Sequence, residues 1–151
     1  MESLNKFLQG QKILQISPYA GEPWIANVFM GCKSAHKIYF IGSPKTLYGK
    51  QLTSNGRLAF ATAWTEDTNH KNRKGIQGVG YATLTDSDSE IATGVSLHNH
   101  NYPEFADRIT VDWVRTNENG SGVWVIEPEF IKFWNDEQYG LDGTQEFTFP
   151  R

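Results

Sequence analysis

The segment Gly42-Ser43-Pro44-Lys45-Thr46-Leu47-Tyr48-Gly49-Lys50-Gln51-Leu52 gathers residue types able to hold an anion. Ser43 belongs to the class of side chains that cap helix starts. Pro44 after it presets φ and lacks the amide proton that a first helical turn leaves unpaired. The spacing predicts a helix beginning here, with its first free N–H groups near Lys45 and Thr46. Those groups would lie at the positive end of the helix dipole, where a phosphate is favoured. Lys45 and Thr46 add a charge and a hydroxyl, and Lys50, four residues after Thr46, shares its helical face. Together they form a predicted phosphate clamp. Ser-Pro-Lys-Thr also occurs in ordinary surface helices, so the segment gains meaning from the elements around it.

Other reactive residues point to less. His98-Asn99-His100 has no Asp, Glu or Cys set beside it at ligand spacing, so it reads as polar surface or packing rather than a metal site. Cys32 beside Lys33 has no His or acid placed to activate it and reads as a small core residue. The loop Thr68 to Lys74, with His70, Lys71, Arg73 and Lys74, reads as solvated, with a lid over a ligand as the alternative. No Ser/His/Asp order, paired-carboxylate motif or Gly-rich nucleotide fingerprint stands out, which disfavours hydrolase and dinucleotide-fold functions.

The 151 residues suit one domain, 1–151, large enough to fold without staples. A single cysteine allows no disulfide framework within the chain and favours a reducing, cytoplasmic setting. Met1 to Gln11 carries Glu2 and Lys6 where an export signal would need an unbroken apolar run. Apolar stretches such as Ile38 to Ile41 and Leu58 to Ala63 fall far short of the roughly 20 residues that span a bilayer. A net charge of −3 argues against broad attraction to nucleic acid or anionic lipid. Asn119-Gly120-Ser121 matches a glycosylation acceptor and is better read as a turn.

The elements that must position the clamp read as mainly β. Leu4, Phe7 and Leu8 at helical spacing, followed by Gly10, predict a short helix capping a barrel end. Lys12 to Ser17, Pro23 to Cys32 and Lys37 to Ile41 predict three strands in an antiparallel meander. The second is apolar on both faces and is expected to be covered on both. Leu58, Phe60, Thr62 and Trp64 alternate with alanines 59, 61 and 63, which leave room for something close against the strand. A fifth strand follows at Lys74 to Leu84, with Gly75, Gly78 and Gly80 inviting a bulge or close approach. Asp86 to Arg108 predicts a helical region divided by Pro103. Ile109 to Arg115 and Val123 to Ile126 predict a last hairpin about the turn Asn117 to Gly122, with Phe130 to Trp134 continuing the sheet. Successive hairpins interrupted by short helices point to a β-barrel of about six or more antiparallel strands with helices at its rims.

This order of elements resembles the FMN-binding split barrels related to pyridoxamine 5'-phosphate oxidase, in particular the small bacterial members. The resemblance is carried by Gly21-Glu22-Pro23-Trp24-Ile25-Ala26-Asn27-Val28-Phe29, by Ile38 to Ile41, and by the Thr46 to Leu52 helix. It continues through Asn55, Arg57 and the Lys74 to Ala82 strand to Trp124-Val125-Ile126-Glu127-Pro128-Glu129-Phe130-Ile131-Lys132-Phe133. It implies a homodimer with FMN between subunits and the phosphate at the helix after the third strand. By position, Thr46, Lys50 and Gln51 match the phosphate side, with Ser43 and Lys45 as further candidates. The ring would run along Ile25, Ala26, Asn27 and Val28, and Lys74 and Gln77 match positions that face the cofactor. Trp134 is the candidate contribution from the partner subunit.

Two features depart from the family. Tyr48 stands where members often carry a basic residue, and the C-terminal arginine and histidine pattern that grips a substrate phosphate is not evident from Gln138 to Arg151. Vitamin B6 oxidation is therefore not expected. The leading expectation is a flavin-dependent oxidoreductase acting on an unidentified small molecule. The alternatives are a non-enzymatic carrier or sensor, including a haem-binding form using His70, His98 or His100, and an interaction module with an empty cleft.

Overall fold

Alternation along the strands divides the molecule into an interior and an outer face. In β4 (Arg57–Ala63), Leu58, Phe60 and Thr62 are buried while Ala59, Ala61 and Ala63 turn outward. In β1 (Ile13–Pro18), Leu14 and Ile16 are buried, and in β5 (Lys74–Leu84) so is Ile76. The computed structural model describes residues 1–64 and 71–150. With β2 (Ala26–Ser34), β3 (Lys37–Gly42) and β6 (Gly122–Asn135), these strands run antiparallel in the order β3-β2-β1-β4-β5-β6, and pairing of β3 with β6 closes a six-stranded barrel. The predicted meander of the first three strands is present.

Five helices lie at the rims and flanks among the described residues. From α1 (Glu2–Gln9), Leu4 and Leu8 enter the core with no exposed surface, and Phe7 packs on Phe133 at 5.3 Å. This helix closes the barrel end where β1 begins. At the other end, α2 (Leu47–Ser54) inserts Leu52, and Asn55 after it donates to the Tyr19 carbonyl beyond β1. Outside the barrel, α3 (Asp88–Asn101) lays Ile91 and Val95 against Tyr39, Val123 and Val125 in a second apolar cluster. Ser87 caps it, and Pro103 opens the separate 3-10 turn Pro103–Phe105, so the predicted division at Pro103 is present.

Three expectations are corrected. The segment read as the first arm of a last hairpin is helix α4 (Val111–Thr116): Thr110 caps it through the Trp113 N–H, and Asn117 ties its end to the turn through Ser121. The ladder position proposed for that arm is taken by β3, which pairs with Gly122–Ile126. Val123 to Ile126 and Phe130 to Trp134 belong to one long strand, β6, whose register against β5 shifts between Val79 and Gly80 at Pro128. A further strand, β7 (Thr144–Thr148), follows α5 (Asp136–Tyr139) and pairs with the second half of β6. The predicted strand Pro23 to Cys32 is open rather than covered on its outer face at its start, with Ile25 65% and Phe29 54% exposed; α3 lies over β2 further along, where Leu97 meets Gly31 and Asn101 donates to the Met30 carbonyl.

Candidate cofactor site

Strand register brings three rows of outward residues together across β2, β1, β4, β5 and β6. The central row is Asn27–Gln15–Ala61–Gln77–Lys132, with Gln15 donating to the Asn27 side-chain oxygen at 3.1 Å. On one side run Ser17–Ala59–Val79–Phe130, next to Ile25. On the other, Phe29 pairs with Ile13, and Ala63 with Gly75, which in turn pairs with Trp134. Ala59 and Ala61 of β4 form a shallow floor between larger walls, and a cavity of about 390 Å³ lies over them. Sequence reading missed Gln15, Phe130 and Lys132. Their outward phase in β1 and β6 was a usable signal, but their alignment with Gln77 follows from register, which one-dimensional alternation does not contain.

The structure therefore brings Ile25, Asn27, Gln77 and Trp134 onto one face. Ala26 and Val28 alternate inward, Val28 being 6% exposed, so they can offer a ligand backbone groups only. That backbone is available on one side, since the β2–β3 ladder begins at Met30 opposite Phe40 and leaves the preceding edge without a strand partner among the described residues. Lys74 sits at the far end of β5, where its ammonium pairs with Glu137 at 2.5 Å and lies 5.0 Å from the centre of the Trp64 ring.

The clamp is rearranged. The helix starts at Leu47, with Thr46 rather than Ser43 as its cap. The Thr46 hydroxyl donates to the Ser43 carbonyl at 2.8 Å and accepts the Gly49 N–H at 3.1 Å. Ser43 accepts the Lys45 N–H and donates to the Asn119 carbonyl, Thr46 N–H returns to the Ser43 carbonyl, and the Lys45 ammonium bonds the Glu118 carbonyl at 3.0 Å. A turn has used the donors proposed for the anion, and the unpaired N–H groups move two residues on, to Leu47 and Tyr48. Lys50 is exposed and has no partner among the described residues. Gln51 turns inward instead: its Nε2 donates to the Glu22 carbonyl at 2.7 Å, and its buried Oε1 has no partner. Tyr48 packs edge-on to Phe40 at 6.2 Å, and its hydroxyl occupies the space over Gly42, where a Cβ would stand 2.1 Å away. Burial pushes its pKa up. The family's basic position is here a packing position.

Cys32 is buried, and desolvation pushes its thiol up to about 12, in keeping with an inert core residue. Half-buried His98 shares Nδ1 with the Asn99 side-chain oxygen and lies 5.5 Å from the Tyr102 ring, which in turn lies 4.8 Å from Phe29. His70 lies outside the described residues. No group of three or more His, Cys, Asp or Glu among the described residues is arranged to hold a metal, and no helix among them is long and apolar enough to cross a membrane.

No protein-family profile and no curated protein matches the sequence. Solved structures do match. A haem-binding protein from Mycobacterium smegmatis superposes with a TM-score of 0.71 at 15% identity over 96% of this chain, which spans only 55% of that protein. HutZ, the haem storage protein from Vibrio cholerae, gives 0.65 at 16% identity over 85% of this chain and 89% of its own. A proposed pyridoxamine 5'-phosphate oxidase from Listeria innocua gives 0.64 at 12% identity, covering 87% and 95%. At these identities the likeness is one of architecture: the chain has the split-barrel fold of the pyridoxamine 5'-phosphate oxidase-like proteins.

Proposed function

We propose that this chain binds FMN on the outer face of its sheet, at the interface of a homodimer, and acts as a flavin-dependent oxidoreductase on a small molecule. The observation that carries the reading is the alanine floor of β4 with the polar row Asn27–Gln15–Gln77–Lys132 crossing it. A planar tricyclic ring needs small residues beneath it and hydrogen-bonding groups at its rim, and this face supplies both. Lys50 and the N–H groups of Leu47 and Tyr48 are the donors left for the phosphate. They are fewer than the sequence suggested, so a moderate affinity is expected.

The homodimer is supported by the apolar groups this face leaves in water: Ile25 and Phe29 are each more than half exposed. A second copy over this face would bury them and shut the ring away from solvent. FMN would supply hydride or single-electron transfer, while the chain's part is to bind, orient and exclude water. A cytoplasmic setting belongs to the same reading, supported by the single buried thiol of Cys32.

Haem in the same cleft is the second reading, favoured by the haem-binding and haem-storage functions named for two structural neighbours. His98 is linked to the face by ring contacts, packing on Tyr102, which in turn packs on Phe29. The visible spectrum of the purified protein separates the readings. A flavin band in the blue is expected, a Soret band would move the assignment to haem, and a colourless protein that ignores both added cofactors would overturn the proposal.

A further inference from the structure

A second and larger cavity, of about 850 Å³, opens between α1 and the start of the sheet. It is within the size range of small-molecule sites, roughly 300 to 1,000 Å³. One wall is apolar and partly aromatic, from Phe7, Ile13, Ala63 and Trp64. Three lysines line it, Lys6, Lys12 and Lys74, against one carboxylate, Glu137, in a chain whose net charge is −3. Glu137 is already paired with Lys74. Lys6 and Lys12 line the cavity with no ion-paired carboxylate among the described residues; the Lys12 ammonium lies over the Tyr102 ring outside the lining, 5.5 Å from its centre, and reaches a ligand by rotation of its exposed side chain.

Asn135 adds an amide donor to the lining. It is 8% exposed and lines the cavity. Its Oδ1 accepts the Gln138 N–H at 3.1 Å, while its Nδ2 has no partner among the described residues. That Nδ2 is accessible from the cavity and can donate to an acceptor placed there. Two lysines without an ion-paired carboxylate and an amide donor, set beside aromatic walls, are a recognition set for anionic oxygens carried on a flat apolar body.

We infer that this cavity is a binding site for a small aromatic anion, its carboxylate or phosphate oxygens taken by Lys6, Lys12 and Asn135 and its ring packed against Phe7 and Trp64. The cavity adjoins the outward rows through Ile13, Gln15 and Ala63 and draws other lining residues from α1 and α5, and the inference stands whether or not a flavin binds. Where a flavin does occupy that face, the cavity opens beside it and would bring the anion to the cofactor as substrate.

Calorimetric titration of the full chain, with no flavin added, tests the inference. The probes are 2-naphthoate, 2-naphthyl phosphate and the neutral 2-naphthalenemethanol. At least one anion is expected to bind about tenfold or more tighter than the neutral compound, and the tighter of the two identifies the anionic group. Lys6→Gln with Lys12→Gln should abolish that preference, whereas Lys6→Arg with Lys12→Arg, which keeps both charges on exposed side chains, should retain it. Equal binding of charged and neutral probes, or a preference that survives the double glutamine variant, would overturn the site.

Discussion

Lys50 is the residue on which the phosphate assignment turns. It is the exposed cation on α2 without a partner among the described residues, whereas Lys45 spends its ammonium on a backbone carbonyl. Lys50→Ala is expected to weaken FMN binding about tenfold, roughly 1.4 kcal/mol, with no change in melting temperature; unchanged affinity would place the phosphate elsewhere. Thr46→Ala is a poor probe of the same point, because it removes the helix cap and should cost about 1 kcal/mol of stability by itself. A second residue-scale expectation concerns Asp136. Its buried carboxylate accepts from Arg73 Nε at 2.9 Å, and this hydrogen bond holds its pKa below the ordinary value. A depressed carboxyl stabilises the fold above its unfolded pKa, near pH 4, and loses that contribution as pH falls through the lower folded value. In denaturant titrations the gap between wild type and Asp136→Asn should hold steady from neutral pH down to about 5 and close as pH falls below about 4. A gap unchanged into strong acid would contradict the assignment.

At the scale of elements, β5 and β6 depend on a backbone approach that admits no side chain. A Cβ on Gly80 would stand 2.4 Å from the Glu127 carbonyl oxygen, opposite the Pro128 irregularity. Gly80→Ala is expected to cost about 1–3 kcal/mol, read as a lower denaturation midpoint; an unchanged midpoint would show that the strands part freely there. Most elements were legible in the sequence, for physical reasons that differ. The strands of the meander and β5 announce themselves by β-branched residues and alternation, and α1 by the spacing of Leu4, Phe7 and Leu8. Val111–Thr116 did not, because Val, Trp and Val at a short spacing satisfy a strand as well as one helical turn, and only the Thr110 cap decides between them. Thr144–Thr148 offers one apolar residue, Phe147, and is a strand because β6 presents an edge to it. At α2 two adjacent cap signals compete. Thr46 prevails because its hydroxyl reaches Gly49 N–H, while Ser43 serves the turn before it.

For the whole molecule, the arrangement of the candidate site was only half legible. Which residues of β2, β4 and β5 face outward follows from alternation, and so Ile25, Asn27 and Gln77 lie where a cofactor could meet them. That Gln15 and Lys132 join them in one row is a property of register and barrel closure, set by contacts far apart in sequence. The open face also carries an assembly expectation. Ala61→Arg, on the floor, should leave the barrel folded but shift the protein from dimer to monomer in size-exclusion chromatography with light scattering; a variant that remains dimeric would remove this face as the interface. The most direct test of the account is a fluorescence titration of FMN with the purified chain. Saturable quenching at one FMN per chain is expected, reduced in both Lys50→Ala and Ala61→Arg. Flavin fluorescence that stays unquenched by excess protein would contradict the central claim.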